Sequence, residues 1–166
     1  MKKFLAAITL LALLFIPSCA KVSMKDLLQF QNCDYTAKLT TSDENEQIDV
    51  DITKDGNTYT FTVDGKYTFV YNGEKWSISY NGLTLPLSGE ALKKSLPQKL
   101  LDALTSSQSD GWSITKENAG GISLYVCECA TRQVKLFIDA DTSLPLKIIC
   151  GGVEFDVVKF EISSSQ

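Results

Sequence analysis

From Asp34 onward, apolar residues recur at every second position, and short Asx-Gly pairs separate the runs. Tyr35, Ala37 and Leu39 alternate with Asp34, Thr36 and Lys38. Ile48, Val50 and Ile52 follow, then Tyr59, Phe61 and Val63, then Tyr67, Phe69 and Tyr71. Trp76, Ile78 and Tyr80 come next, and then Leu83, Leu85 and Leu87. A period of two is the signature of half-buried strands. Between the runs stand Asp55-Gly56, Asp64-Gly65, Asn72-Gly73 and Asn81-Gly82. Asn-Gly and Asp-Gly accept positive φ and are the strongest short-range hairpin signals. The pattern predicts six strands joined as a meander.

The alternation breaks once. Leu92, Leu96, Leu100 and Leu104 fall at helical spacing within Gly89 to Ser106. Pro97 cannot sit inside a continuous helix, so two helical pieces are expected, with Pro97 in the first turn of the second. A polar loop, Ser106 to Asp110, ends the segment. Strands then resume at Trp112–Lys116, Ile122–Ala130, Val134–Asp139, Leu144–Cys150 and Val153–Ile162. In the last run the inward positions shift from Val153, Phe155 and Val157 to Val158, Phe160 and Ile162. A change of face of that kind predicts a β-bulge near Val157-Val158. Ahead of the strands, Ser23-x-x-Asp26 reads as a capping box for a short helix over Met24 to Gln31. The expected class is mainly β (α+β): a curved antiparallel sheet, or incomplete barrel, of about eleven strands. It carries one N-terminal helix and a central helical insertion.

The first residues read differently. Lys2 and Lys3 precede an apolar run, Phe4 to Ile16, which ends in Ile16-Pro17-Ser18-Cys19. A run of thirteen residues is short of the roughly 20 needed to span a bilayer. A basic start, an apolar stretch and a small residue make a secretory signal. The stretch resembles the lipobox of bacterial lipoprotein signals, with Pro17 departing from the usual small residue. The resemblance implies a signal over 1–18 and a lipidated tether over 19–22. A single domain then covers 23–166, and diacylglyceryl Cys19 holds the chain to the membrane on the extracytoplasmic side.

Losing Lys2 and Lys3 with the signal takes the net charge from −4 to −6 and leaves 148 of 166 residues. Arg132 is the one arginine, and an acidic chain of this kind is a poor nucleic-acid ligand. With no histidine, Ser-His-Asp, Cys-His and zinc-His chemistry are excluded. No nucleophile-and-base pair is visible, so no enzymatic activity and no cofactor are expected.

Three groups of residues are candidate sites. Tyr59, Phe61, Phe69, Trp76, Ile78, Leu85, Leu124, Leu136, Ile148 and Phe155 fall on the expected inward face. They line either an apolar ligand cavity or a filled core, since small barrels are often filled by their own side chains. Cys33, Cys127, Cys129 and Cys150 leave free thiols, disulfides and a thiolate metal site all open. A Cys33–Cys150 bridge requires the first strand to lie beside the last ones. Cys127 and Cys129 diverge too far on one strand for easy bridging. Asp139 and Asp141, and the cluster Asp43, Glu44 and Glu46, could serve calcium or glycosidic chemistry. Both groups sit in turns without a calcium-loop pattern. Asp139 is expected to bond its own turn backbone.

The order of short helix, meander, helical plug and closing strands is similar to that of the LolA/LolB lipoprotein-carrier superfamily, with its LppX- and LprG-like lipoproteins. Leu136-Phe137-Ile138-Asp139-Ala140-Asp141-Thr142-Ser143-Leu144-Pro145-Leu146 resembles that family's strand, turn, strand segment. Tyr71-Asn72-Gly73-Glu74-Lys75-Trp76 resembles its mid-meander hairpin. The resemblance implies an open barrel whose helices cap an apolar cavity for acyl chains. The arginine that helps hold the soluble carrier's lid closed has no counterpart here before Arg132. The expected function is binding of a lipid or other apolar ligand in a half-barrel. The alternative is an envelope protein-interaction module with a filled barrel.

Overall fold

The computed structural model describes residues 22–43 and 46–163. The signal, Cys19 and Glu44 lie outside the described residues, as does the Asp43 side chain. The chain opens with α1, Met24–Leu27, and a 3-10 turn, Gln29–Asn32. Ser23 and Asp26 form the expected capping box: Asp26 N–H donates to Ser23 Oγ at 3.3 Å, and Ser23 N–H donates to Asp26 Oδ2 at 3.2 Å. The meander follows as β1 Tyr35–Asp43, β2 Glu46–Asp55, β3 Thr58–Val63, β4 Tyr67–Tyr71, β5 Trp76–Tyr80 and β6 Leu83–Leu87. Two helices, α2 Gly89–Leu92 and α3 Leu96–Leu104, form the insertion. Pro97 lies in the first turn of α3, and Ser95 caps it by accepting from Gln98 N–H. The closing strands are β7 Ser113–Ala119, β8 Ile122–Cys129, β9 Val134–Asp139, β10 Pro145–Cys150 and β11 Val153–Ile162.

All eleven described strands form one antiparallel sheet in the order β6-β5-β4-β3-β2-β1-β11-β10-β9-β8-β7. The first and last strands meet in the middle, and β6 and β7 are its two open edges. The bulge is where the change of face puts it. Lys38 pairs with Lys159 and Leu39 with Val157, so Val158 is the extra residue. It is exposed. That insertion lets Phe155 and Phe160 both reach the core face despite their odd spacing.

α3 lies across the sheet's inner face and buries Leu100, Leu101, Ala103 and Leu104. Beneath the insertion, Cys127, Leu136, Ile148 and Phe155 form one cross-strand row from β8 to β11. None of the four is more than 1% exposed.

Candidate functional site

The inner face changes character along single rows of paired residues. One row runs Ala37, Ile52, Phe61, Phe69, Ile78, Leu85 from β1 to β6. Phe61 is 0% exposed, Phe69 and Ile78 are half-buried, and Leu85 is 61% exposed. The next row runs from buried Val50 through half-buried Val63 to Tyr67, Tyr80 and Leu83. Leu83 is 72% exposed, and the Tyr67 and Tyr80 rings stack at 4.8 Å. A third row ends with Trp76 buried and Leu87 half-buried beside the helical insertion. The wing formed by β4, β5 and β6 therefore presents an uncovered apolar surface on the same face as the core.

That surface accounts for part of the expected ligand-binding set. Tyr59, Phe61, Trp76, Leu136, Ile148 and Phe155 are buried in the core. Tyr59 and Phe61 stack at 6.3 Å, and Phe61 meets Trp76 at 5.8 Å. Phe69, Ile78 and Leu85 belong to the wing. Leu124 is a correction. Its neighbour Tyr125 pairs with core Ile138, so Leu124 turns to the outer face. Val126 turns the same way and stands opposite Phe137. Tyr67, Tyr80 and Leu83 complete the wing, though only their strand positions stood out in the sequence.

Two hollows among the described residues are open grooves beside the insertion. One, of about 750 Å³, has Thr41, Gln47, Lys99 and Glu154 on its walls. Another, of about 550 Å³, separates α3 from the wing, between Leu101 and Asp102 on one side and Tyr71, Trp76 and Leu87 on the other. Both have mixed polar and apolar walls.

A polar cluster lies at the far end of the inner face. The alternation of β2 continues inward from Ile52 to Lys54, whose side chain is 8% exposed. Its ammonium donates to the Cys33 carbonyl at 3.0 Å, lies 3.7 Å from Asp34 Oδ1 and sits 5.9 Å from the Tyr59 ring centre. Lys54 thereby ties the N-terminal helical segment to the sheet. Tyr35 pairs with Lys54, and burial, then the nearby Tyr59, pushes its phenol well above the usual range.

All four described cysteines are free thiols. The Cys33–Cys150 pairing is another correction. β1 does lie beside β11, but Cys33 precedes Tyr35, which pairs with Ile162, whereas Cys150 pairs with Val153. The two thiols sit at opposite ends of ten-residue β11, about 30 Å apart at the strand rise. Burial pushes the Cys127 thiol up to about 11 and Cys150 to about 12. Among the described residues no three His, Cys, Asp or Glu side chains are placed to hold a metal ion. Asp139 Oδ1 accepts from Asp141 N–H at 2.9 Å and Thr142 N–H at 2.7 Å. These turn bonds, led by the one from Thr142, hold its carboxyl below the usual range. Arg132 pairs with Asp110 at 2.7 Å.

No protein-family model matches the chain, and no curated protein matches it. Among solved structures it is similar to a crystal structure of MucB, at 13% identity and a TM-score of 0.42, over 86% of this chain and 59% of that one. It is also similar to MucB in complex with MucA(peri), at 14% identity and a TM-score of 0.37, over 86% and 57%. A third match is the MucA/MucB complex of Pseudomonas aeruginosa, at 13% identity and a TM-score of 0.40, over 86% and 56%. The chain spans less than two thirds of the length of each of these structures.

Proposed function

We propose that this chain is a non-enzymatic envelope lipoprotein, held to the membrane by diacylglyceryl Cys19, that binds an apolar segment of a partner polypeptide on the inner face of its β4–β6 wing. The carrying observation is the exposure gradient from Phe61 at 0% to Leu85 at 61% within one row of paired residues. Small-ligand sites bury most of their ligand in a concave, mainly apolar pocket. The wing is instead an open strand surface with two tyrosines beside two leucines. Tyrosine joins an apolar body to a polar tip and is enriched where proteins meet. Exposed apolar patches of this kind mark interaction sites.

The second reading, an acyl chain as ligand, draws on the 550 Å³ groove between α3 and the wing, which falls within the usual size range of ligand pockets. Photo-crosslinking separates the two. A photoreactive amino acid replaces Leu85 in the full chain, expressed in its own envelope. The expected product is a polypeptide adduct, absent when the probe replaces outward-facing Thr84. Lipid adducts alone would move the function to the acyl-chain reading, and equal labelling at both positions would remove the wing as a site. Cys19→Ala is expected to release the chain from membranes, and retention would overturn the anchor.

A further inference from the structure

The two open edges of the sheet are chemically unequal. In a two-residue hairpin the residues flanking the turn form a hydrogen-bonded pair, and bonding alternates from there. The β5–β6 hairpin turns at Asn81 and Gly82, with φ of 49° and 80°, and closes on Tyr80 and Leu83. Leu83, Leu85 and Leu87 therefore bond inward to β5, and Thr84 and Pro86 face the open edge. Proline has no N–H, so Thr84 is the one donor this five-residue edge strand offers. A proline at such a position guards an edge against unwanted pairing.

β7 has no proline, so its backbone donors are intact. Its hairpin turns at Gly120 and Gly121, with φ of 59° and 83°, and closes on Ala119 and Ile122. The phase has an independent check: Ser123 C=O accepts from Ala140 N–H at 3.0 Å, on the β9 side. Ser113, Thr115, Glu117 and Ala119 thus bond to β8. Ile114, Lys116 and Asn118 present both N–H and C=O to the open edge. Three donor–acceptor pairs at two-residue spacing match the backbone of an extended chain. No described strand occupies that side.

A second copy of this chain fits poorly. The antiparallel register that uses all three pairs sets Lys116 directly opposite its own copy, and like charges there repel. We infer that β7 is a strand-docking edge that takes an extended segment of a partner polypeptide, with an acidic residue opposite Lys116 and an apolar residue opposite Ile114. This extends the proposed function to a second place. The inference stands on backbone geometry, and the wing lies at the other end of the strand order, so variants at Leu85 and at Lys116 report separately.

The probe is an acetylated, amidated heptapeptide with glutamate at its fourth position and valine at its sixth. Amide exchange is followed by NMR on the chain from Cys19 onward. At saturating peptide the Ile114, Lys116 and Asn118 amides are expected to slow by about tenfold. Thr115 and Glu117, already bonded to β8, stay unchanged. Lys116→Pro removes an N–H that the fold does not use, so it should keep the thermal transition and lose the protection. A peptide N-methylated at its glutamate gives the same loss without altering the protein. Absence of slowing at the peptide's solubility limit overturns the inference. So does slowing of Thr84 instead, or slowing in peptide-free chain that grows with protein concentration, which would assign the edge to a second copy.

Discussion

Truncating Leu136 and Leu85 separately distinguishes a filled inner face from a ligand cavity. Both are leucines on inward positions of the sheet, yet Leu136 is 0% exposed and Leu85 is 61% exposed. Leu136 lies between Cys127 and Ile148, both buried, under the helical insertion. Removing its side chain there forfeits packing on several sides and leaves a void, which costs about 2–5 kcal/mol. Leu85 has already kept most of its surface in water. Full burial of a leucine is worth about 1.5–3 kcal/mol, so Leu85→Ala should cost under about 1 kcal/mol. Urea unfolding followed by tryptophan fluorescence reads both. With a slope of about 1–3 kcal/mol per molar, Leu136→Ala shifts the midpoint by roughly 1–2 M or more, and Leu85→Ala by a few tenths. Leu136→Trp should destabilise by about 1–3 kcal/mol through overpacking. A cost for Leu136→Ala below about 1 kcal/mol, together with a tolerated Leu136→Trp, would mean that Leu136 lines open space. The filled-core account would then fail.

Two further outcomes follow from buried polar groups. Lys54→Met keeps the side-chain volume but leaves the Cys33 carbonyl without its donor, at a cost of about 1–3 kcal/mol; Asp34→Asn, which alters a longer and more exposed contact, should matter less in the same thermal melts. Burial holds Cys127 and Cys150 neutral in the fold, so the folded pKa exceeds the unfolded one and stability present below pH 9 declines as the pH rises toward 11–12. Unfolding measured from pH 8 to 11 should show that decline and lose part of it in Cys150→Ala. At pH 8, iodoacetamide should label half-exposed Cys33 first and reach the buried thiols only on unfolding.

Much of the architecture was legible because local chemistry and global fold agree. Asn81-Gly82 takes the positive φ at both positions that a tight hairpin requires. Pro97 and Ser95 mark the start of α3. The two valines at 157 and 158 announce a bulge, because a strand with period two cannot change face otherwise. Lys54 was not singled out, because a lysine on an inward position of β2 reads as exposed until the Cys33 carbonyl and Asp34 are brought beside it. What alternation does not carry is which inward residues a neighbour covers. The row from Phe61 to Leu85 reads as uniformly apolar, yet in the fold Phe61 is enclosed beside Tyr59 and Trp76 while Leu85 stays in solvent. Leu124 went to the wrong face because both faces of β8 carry apolar residues there, so the period gives no direction. The cysteine pairing failed on a different point. The adjacency of β1 and β11 satisfied its condition, but antiparallel register put the two thiols at opposite ends.

On this reading the inner face beneath the insertion is filled by its own side chains, and its β4–β6 wing is open to a partner. Native mass spectrometry of the chain from residue 20 onward, after incubation with envelope lipids and followed by organic extraction, tests it most directly. The account predicts the bare polypeptide mass, unchanged by lipid and without the loss of hydrogens that a disulfide would bring. A stoichiometric acyl lipid that survives purification and is displaced by Leu136→Trp would contradict it.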